Sequence, residues 1–275
     1  KEACNYLKIN DSILLLQNPM AVGTAKKLQF KKVAFDAIDN WLYHPQMPDK
    51  QLIKENYSYI DSRADLIMTV SKALLDTFPM NKNKHWIPNG VDVEYFHPAI
   101  KKAKEDKITI GVGKIQDRVD FDLVERCLKK FTEVHFVFLG PAYSQKERIK
   151  DLENKYTNIT FKGDVHYKKL PYEMKCFDIA IIPHKVDEFT NSMNPLKLYE
   201  YLAAGKPVVT TGVAGTNSIS TYVRCADSYE TFIYEVEQLI NEIKMINPMD
   251  VVNSVPADCT WTNRTNLMID CFKKL

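Results

Sequence analysis

Short apolar runs recur along the chain, and each is followed by a polar or amphipathic stretch. Ile13 to Leu16, Val33 to Phe35 and Leu66 to Val70 have the length of buried strands. Between the last two, Asp49 to Arg63 is an amphipathic segment, and Ser71 stands where a hydroxyl can cap a helix carrying Ala73, Leu74 and Leu75. Trp86 and Ile87 lead into Pro88-Asn89-Gly90, which reads as a turn, and Lys101 to Lys107 reads as a charged linker or surface helix. The alternation then restarts. Strands are predicted at Ile108 to Val112, His135 to Leu139, Ile159 to Phe161 and Ile179 to Ile182. Helices are predicted at Phe121 to Lys130, Ile149 to Lys155, Leu170 to Cys176, Tyr229 to Met245 and Trp261 to Phe272.

Strand–helix alternation with short strands means a parallel sheet covered on both faces. Two such runs predict an α/β protein of two doubly wound, Rossmann-like domains. The boundaries drawn are 1–95, 96–258 and a terminal helix, 259–275. Ligands of such sheets bind at the carboxyl ends of strands. The loops Gly113 to Arg118, Gly163 to His166 and His184 to Asn194 all follow strands and should gather on one edge of the second domain.

Thr190 to Thr210 is the densest stretch chemically. Asn194 is a good N-cap residue with Pro195 at the first helical position, and Gly205 with Pro207 ends the helix. Lys197 and Glu200 lie one turn apart on one helix face. A helix N-terminus with a lysine in its first turn suits a diphosphate, and a carboxylate one turn deeper suits ribose hydroxyls. The pattern points to a nucleotide-sugar site. The plain alternative is a solvated Lys197–Glu200 pair worth roughly 0.2–0.5 kcal/mol.

Composition narrows the field. The 275 residues are 45% hydrophobic and 26% charged with a net charge of +2, too mild a balance for nucleic-acid binding. The six cysteines form neither a CxxC nor a Cys/His cluster, so reduced thiols in a cytoplasmic protein and no metal site are expected. No apolar run has the ~18 residues of a membrane span. The first residue is Lys1, and the opening residues read as mid-domain sequence, so the first domain is expected to be incomplete.

These residues resemble the GT-B-fold glycosyltransferases, family 4 and its close relatives. Ala64-Asp65-Leu66-Ile67-Met68-Thr69-Val70-Ser71 resembles a first-domain strand of that family, and Ile87-Pro88-Asn89-Gly90-Val91-Asp92 its interdomain signature. Phe136-Val137-Phe138-Leu139-Gly140 and Phe161-Lys162-Gly163-Asp164-Val165 resemble successive strands of the donor domain. The Thr190 to Thr210 stretch most resembles bacterial enzymes that build cell-envelope polysaccharides such as teichuronic acid. The resemblance implies a nucleotide-sugar donor, a glycan or lipid-linked acceptor, no cofactor, no metal, and room for peripheral association with the inner face of the membrane.

Carried over residue by residue, Glu200 matches the second glutamate of the family's E-x7-E pattern and would contact the ribose. The first glutamate would fall at position 192, where this chain has Ser192. Its hydroxyl and the backbone N–H groups of Met193 and Asn194 would then face the transferred sugar, with Asp187 or Glu188 as carboxylates in reach. Lys197, Lys114 and Arg118 would neutralise the leaving diphosphate around Gly113, the alternative for Arg118 being a surface pair with Asp122. Val165 would read the base edge. Apart from the resemblance, Asp36-x-x-Asp39 follows a first-domain strand and should face the cleft; Asp39 is the candidate acceptor-side base, the alternative being an Asx turn with Asn40, and Trp41, Tyr43 and His44 could stack on a sugar or simply pack. His166 and His184 follow strand ends and are read as structural. In a retaining reaction the leaving phosphate oxygen takes the acceptor proton; in an inverting one Asp39 does. A noncatalytic nucleotide-sugar-binding protein and a GT-B epimerase are the rival readings.

Overall fold

The computed structural model describes residues 6, 12–27, 30–103, 107–113, 115–142, 145–213, 215–216 and 219–275. In chain order its first strands and helices are β1 (Ile13–Leu16), α1 (Val22–Lys27), β2 (Lys32–Ala37), α2 (Lys50–Arg63), β3 (Leu66–Thr69) and β4 (Lys84–Trp86). They continue with β5 (Thr109–Gly113), α3 (Phe121–Lys130), β6 (His135–Leu139), α4 (Lys146–Lys155), β7 (Ile159–Phe161), α5 (Leu170–Met174) and β8 (Ile179–Ile182). The rest are α6 (Leu196–Ala203), β9 (Val208–Thr211), β10 (Val223–Ala226), α7 (Tyr229–Glu242), α8 (Pro248–Asn253) and α9 (Trp261–Lys273). Contacts divide the chain into one unit of Lys1–Asn89, Asn191–Asn194 and Thr262–Leu275, and another of Gly90–Thr190 and Pro195–Trp261.

The first unit holds a parallel sheet in the order β1-β2-β3-β4. Side chains alternate across a strand, and here both faces find cover. Phe35, Ala37 and Ile67 pack with Ile53, Tyr57 and Ile60 of α2 and with Phe78. Ala34, Leu66 and Met68 pack on the other face with Ile87 and with Met268, Cys271 and Phe272 of α9. Asp36 is on β2 and only 1% exposed. Its carboxylate is met by the Arg264 guanidinium of α9 at 3.2 and 3.3 Å and by Gln17 Nε2 at 3.2 Å. Arg264 also donates to the carbonyls of Ile87 and Pro88.

Ser71 does not cap a helix. Ala73–Thr77 is a 3-10 turn preceded by Lys72 with no side-chain cap, and the Ser71 hydroxyl donates instead to the Ser192 carbonyl at 2.6 Å.

The second unit has the all-parallel order β10-β9-β8-β5-β6-β7. Counted within the unit this is 3-2-1-4-5-6, read from β7, with the direction of winding reversing between β5 and β8. One face of the sheet packs Ile110, Phe136, Ile179 and Val209 against α3 and α7. The other packs Val137, Ala180, Ile182 and Val208 against Leu198, Tyr201 and Leu202 of α6. The Asp120 carboxylate caps α3, its Oδ1 accepting from the N–H groups of Asp122 and Leu123 at 3.1 Å. Of the charged stretch Lys101 to Lys107, residues 104–106 lie outside the described residues, and Lys101 pairs with the buried Asp178 at 3.1 Å.

The α6 N-terminus differs from the sequence reading. The helix begins at Leu196, with Pro195 in the cap position and no side-chain cap. Asn194 is engaged elsewhere: its Oδ1 accepts from the Asn89 N–H at 3.0 Å, and its carbonyl accepts from Asn89 Nδ2 at 2.7 Å. The C-terminus closes as expected. Gly205 takes a φ of 70°, its N–H donates to Leu202 and the Lys206 N–H donates to Tyr201, both at 2.9 Å. This is a Schellman stop, and a Cβ would strain it.

Candidate active site

The winding reverses between β5 and β8, and the carboxyl ends of the strands at such a reversal are the usual place for a ligand. The loop after β5 pairs with the segment after β8. Val119 bridges His184, the Lys185 N–H donates to the Arg118 carbonyl, and the Asp120 N–H donates to the Pro183 carbonyl, both at 2.8 Å. These bonds hold Arg118 and His184 on neighbouring backbones. α6 supplies the rest. Its buried Tyr201 Oη accepts from the Gly113 N–H at 2.6 Å. A Cβ on residue 113 would stand 2.7 Å from Lys197 Nζ and 2.8 Å from Tyr201 Oη, so glycine lets the Lys197 ammonium reach the end of β5. Lys197 Nζ lies 3.9 Å from Glu200 Oε2 one turn on, and Glu200 is itself buried.

Electrostatics divides the site. Burial lowers the His184 pKa to about 3, and the charges of Arg118 and Lys197 push the same way, so its imidazole is neutral at physiological pH. Two cations and a neutral ring make this end of the site anion-seeking. Tyr201 is pushed well above the usual phenol range, first by burial and then by Glu200, and keeps its proton. Burial and then the Glu200 carboxylate raise the Tyr167 pKa to about 12. Tyr167 stacks on Tyr95 with ring centres 4.9 Å apart and planes 6° apart, and the Tyr95 hydroxyl donates to the Tyr167 carbonyl at 2.7 Å. A cleft of about 560 Å³ lies along the same loop, lined by Lys162, Asp164, Val165, His166, Lys169 and Glu173.

Gly113, Arg118, Lys197 and Glu200 thus come together within the second unit, and Val165 lines the cleft on the loop that carries Tyr167. Lys114 lies outside the described residues. Ser192, Met193 and Asn194 are buried and belong by their contacts to the first unit. Asp187 closes its own turn, accepting from the Thr190 N–H at 2.8 Å. Asp122 pairs with Arg148 at 3.2 Å. The His166 ring accepts from the Lys168 N–H at 3.2 Å and so shapes its own turn.

In the first unit Asp39 is half-buried after β2, where its charge acts on Tyr57. Nearby the Trp41 N–H donates to Tyr57 Oη at 3.0 Å, and the Trp41 and His44 rings are 5.4 Å apart. Among the described residues no group of three His, Cys, Asp or Glu side chains could hold a metal ion, and no helix is long and apolar enough to cross a membrane. The Tyr95–Tyr167 stack escaped the sequence reading, because two tyrosines 72 positions apart give no local signal.

Residues 108–242, just under half the chain and covering this whole site except Tyr95, match the family model described as glycosyl transferases group 1. Apart from Asn191–Asn194, the match lies within the second unit. TuaH of Bacillus subtilis (strain 168), named as a teichuronic acid biosynthesis glycosyltransferase, is 30% identical over 185 residues, 64% of this chain and 44% of TuaH. The chain therefore spans less than half the length of that relative. Sucrose-phosphate synthase from Thermosynechococcus elongatus superposes with a TM-score of 0.79 at 14% identity, over 99% of this chain and 76% of that one. HepE of Anabaena, in complex with UDP-glucose, gives 0.74 at 12% identity, over 96% and 79%. At these identities the likeness is one of fold, and the fold of both units is that of GT-B glycosyltransferases.

Proposed function

We propose that the chain moves a sugar from a nucleoside diphosphate donor to a cell-envelope glycan or its lipid-linked precursor. The observation that carries this reading is the approach of Lys197 to Gly113 at the reversal of winding, with Arg118 on the adjoining loop and Glu200 one turn deeper. Departure of a nucleoside diphosphate builds negative charge on phosphate oxygens. Preorganised cations lower that barrier because they need no reorganisation as the charge develops. Arg118 and Lys197 fill this role. Glu200 accepts from ribose hydroxyls, and the loop from Val165 to Tyr167 adjoins the base. The name of TuaH supports an envelope-polysaccharide acceptor, and the UDP-glucose complex of HepE supports a uridine donor.

We read the transfer as retaining and metal-independent, with the leaving phosphate oxygen taking the acceptor proton. Asp39 then orients the acceptor. The reaction belongs in the cytoplasm, at the inner face of the membrane where a lipid-linked acceptor is presented. Ser192 in place of the family's glutamate leaves the transferred sugar to a hydroxyl and to backbone groups.

Release of UDP from UDP-sugars, measured with and without envelope glycan acceptors, tests the activity. Binding of UDP with no turnover on any acceptor sinks the transfer and leaves a nucleotide-sugar-binding protein. Lys197→Ala and Glu200→Ala test the site. Each removes a hydrogen bond to or from a charged group, worth about 1.5–3 kcal/mol, and should weaken UDP binding by roughly 10- to 100-fold. Calorimetric affinities unchanged in both variants would remove this assignment.

A further inference from the structure

His184 is a buried side chain at this site whose chemistry the proposed transfer leaves unused. It is 7% exposed, and its Nδ1 is buried with no hydrogen-bond partner among the described residues. An unpartnered buried ring nitrogen is costly, so its persistence at the candidate site calls for a reason. Its backbone is fixed by the bridge to Val119 and by the bond from its own N–H to Ile182.

The charged groups around it are named readily. From the loop after β5 comes Arg118, and from α6 comes Lys197. Asp120 on the same loop is turned away, its two oxygens taken by the α3 N–H groups and by the Tyr229 hydroxyl at 2.5 Å. Asp117 accepts from Gln145 Nε2 at 3.1 Å. Glu200 on α6 faces Lys197 and the Tyr167 side. On its own segment the Asp187 carboxylate is engaged with Thr190. Thus, among the described residues, the charges that act on the imidazole are both positive, and with burial they hold the ring deprotonated.

We propose that His184 takes up a proton when a diphosphate occupies the Arg118–Lys197 site, so that nucleotide binding is linked to protonation of this ring. A bound diphosphate reverses the sign of the local field. The two cations are then neutralised by their ligand, and an imidazolium becomes a third positive group beside the phosphate oxygens. By linkage, an anion that raises a group's proton affinity must bind more tightly as the pH falls. His184 would thereby be a positioning residue for the diphosphate, gripping the charged leaving group and relaxing when it departs. This rests on the donor-site reading above.

The test compares wild type with His184→Gln, using UDP and, as a base-free probe, inorganic pyrophosphate. Both probes titrate, but equally for both proteins, so the ratio of affinities isolates the ring. That ratio is expected to rise at least roughly threefold in favour of wild type between pH 8 and pH 5.5. A flat ratio overturns the proposal while leaving the donor site standing. A second measurement needs no variant: calorimetry of wild type with UDP-glucose at pH 5.5, in two buffers of unlike ionisation heat. The diphosphate diester of UDP-glucose does not titrate there, so an observed uptake of protons comes from the protein. Binding with no proton uptake overturns the proposal, and no binding of any of the three probes overturns the donor-site reading along with it.

Discussion

Arg264→Ala should destabilise the first unit by about 3–5 kcal/mol, the usual loss when one partner of a buried ion pair is removed. Among the described residues the Asp36 carboxylate, 1% exposed, would keep only the Gln17 amide at 3.2 Å, and the carbonyls of Ile87 and Pro88 would each lose a donor. The cost comes from what is left behind, not from the attraction lost. The double variant Asp36→Leu/Arg264→Met removes both charges and should recover the part of the loss due to the stranded carboxylate, because an apolar pair of similar volume often replaces a buried ion pair without loss; the Ile87 and Pro88 carbonyls still lack the Arg264 donor. Urea midpoints of the wild type, both single variants and the double variant form the cycle. An Arg264→Ala midpoint within experimental error of wild type would show that Asp36 is not the anchor of α9.

Lys206→Met should act in the opposite direction. The side chain is 1% exposed, and its Nζ finds no hydrogen-bond partner among the described residues. Burial lowers its pKa from 10.5 to about 7; Lys101 adds to the shift and Asp178 opposes it. Lysine is charged in the unfolded chain up to its ordinary pKa, so between about pH 7 and 10.5 the unfolded state binds more protons than the folded one. Stability therefore rises with pH across that window. Below pH 7 the folded state carries the charge as well, and its burial cost is present in full. At about 1.4 kcal/mol per unit, the ceiling is on the order of 5 kcal/mol. Lys206→Met should therefore raise the denaturation midpoint most at pH 6.5 and by little near pH 10.5. A difference that does not shrink with rising pH would mean that Lys206 is not the group responsible.

Much of the fold could be read from the chain, because its strands are short apolar runs that stand out against charged helices. Ile179 to Ile182 is buried at every position and was predicted to the residue. β10 was missed because Val223, Arg224 and Cys225 are only half-buried and Arg224 pairs with Glu235 and Glu242 on the surface, so no apolar run marks the strand. α8 was missed for its length, Pro248–Asn253, although Asn247 before Pro248 is a capping signal that could have found it.

The site divides in the same way. Lys197 and Glu200 share a helix, and spacing alone places them together. The resemblance pointed to Gly113 and Arg118 as parts of the donor loop, but the approach of Lys197 to Gly113, close enough that a Cβ there would clash with it, depends on strand order, which no local pattern encodes. Asn194 shows the limit most sharply. Every local rule makes it the cap of α6, yet Asn89, 105 residues earlier, claims its side chain. His184 was read as structural, and only its neighbours Arg118 and Lys197 give its ring a reason to be there.

The bond between Asp36 and Arg264 joins residues 228 positions apart. On a ribosome, β2 would emerge long before α9, with its carboxylate uncompensated and with Ala34, Leu66 and Met68 uncovered on one face of the sheet. During synthesis this sheet would be a half-built surface with a charge at its centre. An uncompensated carboxylate on that face would make docking of a foreign apolar segment costly until the guanidinium arrives.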